Sequence, residues 1–239
     1  MRIALLAVAL AFFARPSLMS AQTPAAEPPH IVTHGTATLK RAPDRAWVSV
    51  SADARQPKAA DARREAATQM TVVQSAIKAA GIPADAIKTT NYSLQPQMEW
   101  DGTRSRIRDY LAHNEIEVRV DNIDQVSDVI DAAGAVRTTP TLTVAISGVR
   151  FDLKSNASLV QEALSLAVKD AMAHAQAIAG GLSRSLGQVI KVEEQPGNES
   201  PRPIAFAARA MVQAQGASTP IEPTEVEVRS TVTLTVRIQ

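Results

Sequence analysis

Apolar positions along the chain fall into alternating runs and helical runs that follow one another in sequence. Ile31 to Lys40 alternates and predicts a first strand. After the turn residues Arg41-Ala42-Pro43-Asp44, Arg45 to Ala54 predicts a second, with Val48, Val50 and Ala52 opposed to Trp47, Ser49 and Ser51. From about Lys58 to Ala80 the period lengthens to that of a helix. Ala59, Ala62, Ala66, Met70, Val73 and Ile77 share one side, and Gly81 followed by Pro83 supplies the stop. Alternation returns from Ile87 to Met98, Asp101-Gly102 suits a hairpin turn, and a return strand is expected from about Arg104 to Val120. Its apolar positions change phase: Ile107 and Leu111 are odd-numbered, whereas Ile116, Val118 and Val120 are even-numbered. One face cannot bury both sets, so a bulge or strong twist is expected near His113-Asn114. Asp121 to Ala133 predicts a short helix with Ile123, Val126, Ile130 and Ala133 inward.

The strongest pattern lies between Thr138 and Glu194. A strand burying Leu142, Val144 and Ile146 changes phase at Gly148, so that Val149 and Phe151 turn inward. The long alanine-rich helix that follows has Ser155 or Asn156 as its cap and Gly180-Gly181 as its end. Val160, Leu164, Val168, Ala171, Ala175, Ile178 and Leu182 line up as its apolar stripe, and its many alanines make it thin enough to lie close to a sheet. A short strand over Val189 to Glu193 leads to a proline-rich loop (196–223) of roughly thirty residues, a length that signals function or disorder. Its middle, IAFAARAMVQAQ, is apolar. The last strand, Glu225 to Ile238, sets Val226, Val228, Val232, Leu234, Val236 and Ile238 on one face. The expected fold class is α+β, an antiparallel-rich sheet packed against two long helices and one short helix.

Composition and the N-terminus narrow the class of protein. Arg2, the unbroken apolar run Ile3 to Phe13 and Ser17-Leu18-Met19-Ser20-Ala21 read as a signal peptide over 1–21. A disordered tether is expected over 22–30, and a single α+β domain over 31–239 in which a break near 135–140 would separate two subdomains. Loss of Arg2 and Arg15 with the leader takes the formal charge from +1 to −1, which gives no support to nucleic-acid binding. No run in the mature chain is long enough for a transmembrane helix. The absence of cysteine rules out a disulfide framework and thiol redox chemistry.

Candidate chemistry is sparse. His30 and His34 have a metal-binding spacing only if helical; in extended chain they stand more than about 12 Å apart at a ~3.3 Å rise per residue. His113 and His174 are isolated in sequence. Arg104, Arg106 and Arg108 form a basic stripe beside Tyr110, read as a solvated strand face balanced by Asp101 and Asp109, or as an anion, lipid-headgroup or subunit contact. Ser147-Gly148 lacks the preceding glycine of a nucleophile elbow. Asp44 fits a turn residue bonded to its own backbone. Met70, Met98, Met172 and Met211 read as ordinary core methionines rather than oxidant scavengers. No catalytic residue, cofactor or metal is expected.

Taken in order, GTATLKRAPDRAWVSV, LQPQMEW, IRDYLAHNEIEVRVDNIDQVSDVIDAAGA, ISGVRFDL, the EALSLAVKDAMAHAQAIAGGL helix and PIEPTEVEVRSTVTLTVRI resemble the SIMPL-domain family of exported bacterial proteins. Gly35, Pro43, Asp44, Gln95, Pro96, Tyr110, Asn114, Gly134, Gly148 and Phe151 lie within those motifs. The resemblance implies a SIMPL-type α+β fold, a periplasmic or envelope location with peripheral outer-membrane association, a link to oxidative-stress tolerance, and homo-oligomers that are ring-like in some members. It brings no catalytic residues. The leading expectation is a non-enzymatic envelope protein that self-assembles through Pro201 to Ala217 and the final strand. The alternative is a binding module for a small ligand or envelope component, using the groove between sheet and long helix or the Arg104–Arg108 stripe.

Overall fold

Seven strands divide between two antiparallel sheets in a computed structural model that describes residues 28–195 and 219–239. The first strand, β1 (His30–Arg41), does not pair with the second, β2 (Arg45–Gln56). Between them the chain crosses from one sheet to the other, and Asp44 holds the crossing. Its N–H donates to the Asp152 carbonyl (3.2 Å), and its carboxylate accepts the Lys154 N–H (2.7 Å). Asp44 is therefore a backbone partner, as a turn residue should be, but for a segment 110 residues away rather than its own turn.

One continuous run builds the four-stranded sheet, in the order β3-β4-β2-β5, from β2, β3 (Ile87–Trp100), β4 (Ser105–Val120) and β5 (Leu142–Asp152). Helix α1 (Ala59–Ala79) and the short α2 (Val126–Gly134) cover one face. Met70, Val73 and Ile77 of α1 and Val126, Val129, Ile130 and Ala133 of α2 are buried there against Val48, Val50, Ile116, Val118 and Val120, while Ala62 and Ala66 of α1 pack with Ala54 and Ala112. Each fully buried Val or Ile contributes about 1.5–3 kcal/mol. Gly81, at φ +93°, takes the left-handed position after α1.

The even-numbered face of β4 is the buried one, and pairing with β2 runs without interruption from Tyr110 to Val120. No bulge falls at His113-Asn114. The β3–β4 ladder shifts register instead opposite Thr90 and at Arg108, and Ile107 stays exposed, so nothing forces the odd positions inward. In β5 the expected phase change is present. Ser147 is left out of the pairing between Ile146 and Gly148, and Val144, Ile146, Val149 and Phe151 all reach the core.

Segments flanking that run build the three-stranded sheet, β1-β7-β6, with β6 (Leu186–Gln195) and β7 (Val226–Ile238). The longest helix, α3 (Ala157–Gly181), packs on β1 and β7. Its buried stripe shares Ala171 and Ala175 with the expected one and otherwise differs. Leu159, Ala163, Ala167, Ala171, Ala175 and Ala179 face the sheet, while Val160, Leu164 and Val168 are half-buried and Ile178 and Leu182 exposed. An i, i+4 row runs obliquely to a helix axis, so a helix crossing the strands at an angle makes contact along that row. Gly35 explains why the row is alanine. A Cβ added there would overlap the Ala167 carbonyl oxygen and the Ala171 nitrogen and stand 2.8 Å from the Ala171 Cβ. Helix and strand backbones touch, and no groove separates them. The helix ends at Gly180-Gly181, as expected. The closing turn reaches Ser183 (φ 54°), where Arg184 N–H bonds the Ala179 carbonyl (2.9 Å) and Ser183 N–H that of Gly180 (3.0 Å).

The halves meet where Leu153 packs with Leu159, Val226, Leu39 and Val228. The chain also re-enters at Thr219, whose hydroxyl donates to Asp131 (2.6 Å) and whose carbonyl accepts from Ser127 (2.8 Å). The leader (1–21), most of the tether (22–30), Met211 and Pro201 to Ala217 lie outside the described residues.

Candidate interaction surface

The uncovered face of the four-stranded sheet gathers most of the polar residues. Odd-numbered side chains of β2 alternate away from α1. Trp47 lies there between Arg45 and Arg150, whose guanidinium carbons are 5.9 and 5.3 Å from the indole centroid, and its N–H donates to Asp152 (3.3 Å). Arg150 also pairs with Glu117 (3.4 Å) and Asp152 (3.3 Å). Asp121 accepts from Arg45 (2.7 Å) and Arg119 (3.0 Å), and Arg119 reaches Asp85 (3.1 Å). Desolvation pushes the Asp121 carboxyl up, but the two guanidinium bonds outweigh it and hold the group below the usual carboxylate value. Asp85 raises Arg119, with Asp121 adding to the effect. These charges are satisfied by one another, which makes the face a closed network rather than an open anion or cation site.

His113 is not isolated. Its Nδ1 lies 2.6 Å from Asp53 Oδ1, and the register places Asp53, His113 and Ser93 in one row across β2, β4 and β3. Pairing of β2 with β4 brings the two together, a register that alternation alone does not supply. Ser147, squeezed out at the bulge, donates to Glu115 (2.9 Å). His30 and His34 lie on extended β1, as their flanking residues indicate, and contact the Pro28 carbonyl and the Thr233 hydroxyl, both at 3.0 Å. Among the described residues no three His, Asp or Glu side chains gather at metal-binding distance.

The arginine stripe borders the β3–β4 hairpin tip, and every arginine there has an acid. Arg104 pairs with Asp101 (3.8 Å), Arg106 with Glu99 (3.3 Å) and Arg108 with Asp109 (2.9 Å). Asp101 also accepts from the Thr103 hydroxyl and from the Arg104 and Thr103 N–H groups, which lowers its carboxyl. The balanced reading of this stripe holds. What the charge pattern hides is the apolar content of the tip: Trp100 is 67% exposed, and Met98 and Ile107 are exposed beside it.

Sheet edges differ more than sheet faces. Two backbone groups at the middle of β1 that point away from β7 are taken up by α3: His174 bonds the His34 carbonyl (2.9 Å), and Asp170 accepts the Thr36 N–H (2.9 Å). His174, expected as a surface residue, is exposed but closes an edge. Strand β3 carries Pro96 and two register shifts, β5 carries the Ser147 bulge, and β6 shifts register on either side of Val189 before running regularly from Lys191 to Gln195. Such devices blunt an edge. At the far side of the three-stranded sheet, β6 has no strand on its outer edge among the described residues. Val189, Ile190 and Val192 are 47%, 50% and 53% exposed along it. The final strand, expected as an interaction segment, is instead the sheet's centre, paired on both sides.

The profile of the SIMPL family, described as a protein of unknown function (DUF541), matches residues 31–236. The chain belongs to the SIMPL family. Among SIMPL relatives, the uncharacterized protein YggE of Escherichia coli K12 is 26% identical over 182 residues, 76% of this chain and 72% of the relative. YggE of Edwardsiella ictaluri is 26% identical over 189 residues, 78% and 76% of the two chains. The 26 kDa periplasmic immunogenic protein of Brucella melitensis is 28% identical over 203 residues, 81% and 77%. The motifs that carried the resemblance fall mainly on structural positions of this SIMPL fold, such as Gly35 under α3 and Gly148 at the β5 bulge. Among the described residues no helix is long and apolar enough to cross a membrane.

Proposed function

We propose that this chain is an exported envelope protein that acts by association, with copies of itself first, rather than by turning over a substrate, and that its physiological effect is tolerance of oxidative stress. The observation that carries this reading is the exposed apolar outer edge of β6, which among the described residues has no strand beside it and which, after register shifts on either side of Val189, runs regularly from Lys191 to Gln195. Half-exposed Val and Ile side chains on a strand paired along one edge only make a template for strand addition. The exposed Trp100 tip adds a second apolar contact. An envelope location is supported by the leader-like first 21 residues and by the Brucella relative, a periplasmic immunogenic protein by name. The stress link rests on the family resemblance of the motifs.

The alternative of a ligand groove between sheet and long helix loses its ground, because Gly35 and the alanine row bring those backbones into contact. Light scattering on chain 22–239 at micromolar concentration tests the association directly; a strict monomer refutes it. Peroxide survival of a strain lacking the protein, with and without complementation, tests the stress link, and equal survival removes it.

A further inference from the structure

The outer edge of β6, which has no partner strand among the described residues, has a register that fits a second copy of itself. Ser185 and Gln239 exchange both of their backbone bonds (3.1 and 3.0 Å), which makes the odd-numbered residues of β7 the ones that bond toward β6. Lys191, Glu193 and Gln195 pair with Thr235, Thr233 and Thr231, so their backbone groups point inward. Val192 and Glu194 therefore present N–H and C=O groups to the outer edge, and strand addition there needs an antiparallel partner with matching even-numbered positions.

We propose that two copies of this chain join β6 to β6 antiparallel about a twofold axis at Val192, extending the three-stranded sheet into a six-stranded one. The inference rests on the self-association proposed above and names its surface. Charge selects the register. With Val192 on the axis, Lys191 of each copy lies opposite Glu193 of the other, in a non-hydrogen-bonded pair where side chains come closest. A one-residue shift either way would set Lys191 against Lys191 or Glu193 against Glu193. Within one copy Lys191 already reaches Glu193 at 2.7 Å, so both side chains lie on the same face of the strand, ready to exchange partners across the axis. Val192, half-exposed alone, would be covered by its symmetry mate. The contact is isologous, as a twofold axis requires.

The chain has no cysteine, which makes the test direct. Antiparallel hydrogen-bonded partners stand about 5.5 Å apart at Cα, within reach of a disulfide. Val192→Cys should give a covalent dimer under mild oxidation, whereas Glu227→Cys on paired β7 should not. Val192→Pro removes an outward N–H without touching the β6–β7 ladder, and should abolish the dimer while leaving the circular dichroism spectrum and Tm close to those of the parent. Lys191→Glu should weaken the dimer about tenfold through its two symmetric contacts, and adding Glu193→Lys should restore it. Rescue by the double swap separates pairing from misfolding. Association that survives Val192→Pro, with no Val192→Cys cross-link, would overturn the β6 interface and leave self-association standing. A parent chain that is monomeric removes both.

Discussion

Replacing Gly35 by alanine puts one methyl group where the backbones of β1 and α3 meet. The new Cβ would overlap Ala167 O and Ala171 N, neither of which can rotate away as the end of a side chain could. Relief requires α3 to lift from the sheet. Overpacking of a well-filled site costs about 1–3 kcal/mol, and a backbone clash belongs at the upper end. Lifting α3 also loosens Ala163, Ala167, Ala171 and Ala175, all fully buried, at about 0.8 kcal/mol for each methyl returned to water. Against this, removing glycine's freedom from the unfolded chain returns about 0.4–1 kcal/mol. With one such methyl exposed, the net loss is about 3 kcal/mol, which for a domain of this size lowers Tm by about 6–12 °C.

Thermal unfolding followed by circular dichroism gives the readout. Gly148→Ala is the matched control, because nothing lies within 4 Å of a Cβ there, and it should stay within about 0.5 kcal/mol of the parent. Adding Ala171→Gly to Gly35→Ala removes the Cβ–Cβ contact but neither backbone overlap, so it should not rescue. A Gly35→Ala Tm within about 2 °C of the parent, or rescue by Ala171→Gly, would refute the claim that the two backbones touch.

Ser183→Gly should stabilise by about 0.5–1 kcal/mol, since Ser183 holds φ 54° at the end of α3 where glycine carries no Cβ penalty; thermal melts check it. Asp121→Asn should destabilise at pH 7 by no more than about 1 kcal/mol, given its partly exposed pairing with Arg45 and Arg119. Because the folded carboxyl is held low, its contribution is present above the unfolded pKa of about 3.9 and fades as pH falls through the folded value. Melts of parent and variant should therefore differ at pH 7 and converge in acid. Asp170→Ala combined with His174→Ala uncovers the β1 edge at His34 and Thr36, and should raise concentration-dependent scattering with little change in Tm.

Strand positions were legible wherever alternation met one buried face, as in β2, β5 and β7, and helix spans wherever a glycine or proline closed the period. The face of α3 was misread for an identifiable reason. Hydrophobicity ranks Val160, Leu164 and Ile178 above alanine, while the space over Gly35 admits only alanine, and in contact between two backbones the steric limit wins. The partition into two sheets was not legible either. Strands β1 and β2 are neighbours in sequence with a three-residue connection, yet the last strand returns to claim β1. The pairing of Asp53 with His113 depends on a register that neither strand encodes alone. The exposed β6 edge was hidden for the opposite reason, since Val189, Ile190 and Val192 look like core residues until the strand is found at the rim.

Close seating of α3 and the inequality of the two outer edges have one cause. Short side chains reach an edge strand's backbone only if the helix carrying them lies close. Asp170 and His174 flank the alanine row and bond Thr36 and His34, on either side of Gly35. A leucine-faced helix, held off at the usual separation of about 10 Å, would leave those groups facing water. The alanine row thus fixes helix distance, and helix distance decides that β1 is closed at His34 and Thr36. Helix α3 packs mainly on β1 and β7 and barely reaches β6, so it leaves the opposite edge uncovered among the described residues. Gly35→Ala should accordingly do more than lower Tm. By lifting α3 it should break both edge bonds and increase association through β1, a gain that Val192→Pro in the same chain would leave untouched. If Val192→Pro suppressed that added association, the blocking of β1 by Asp170 and His174 would not be what directs partners to β6.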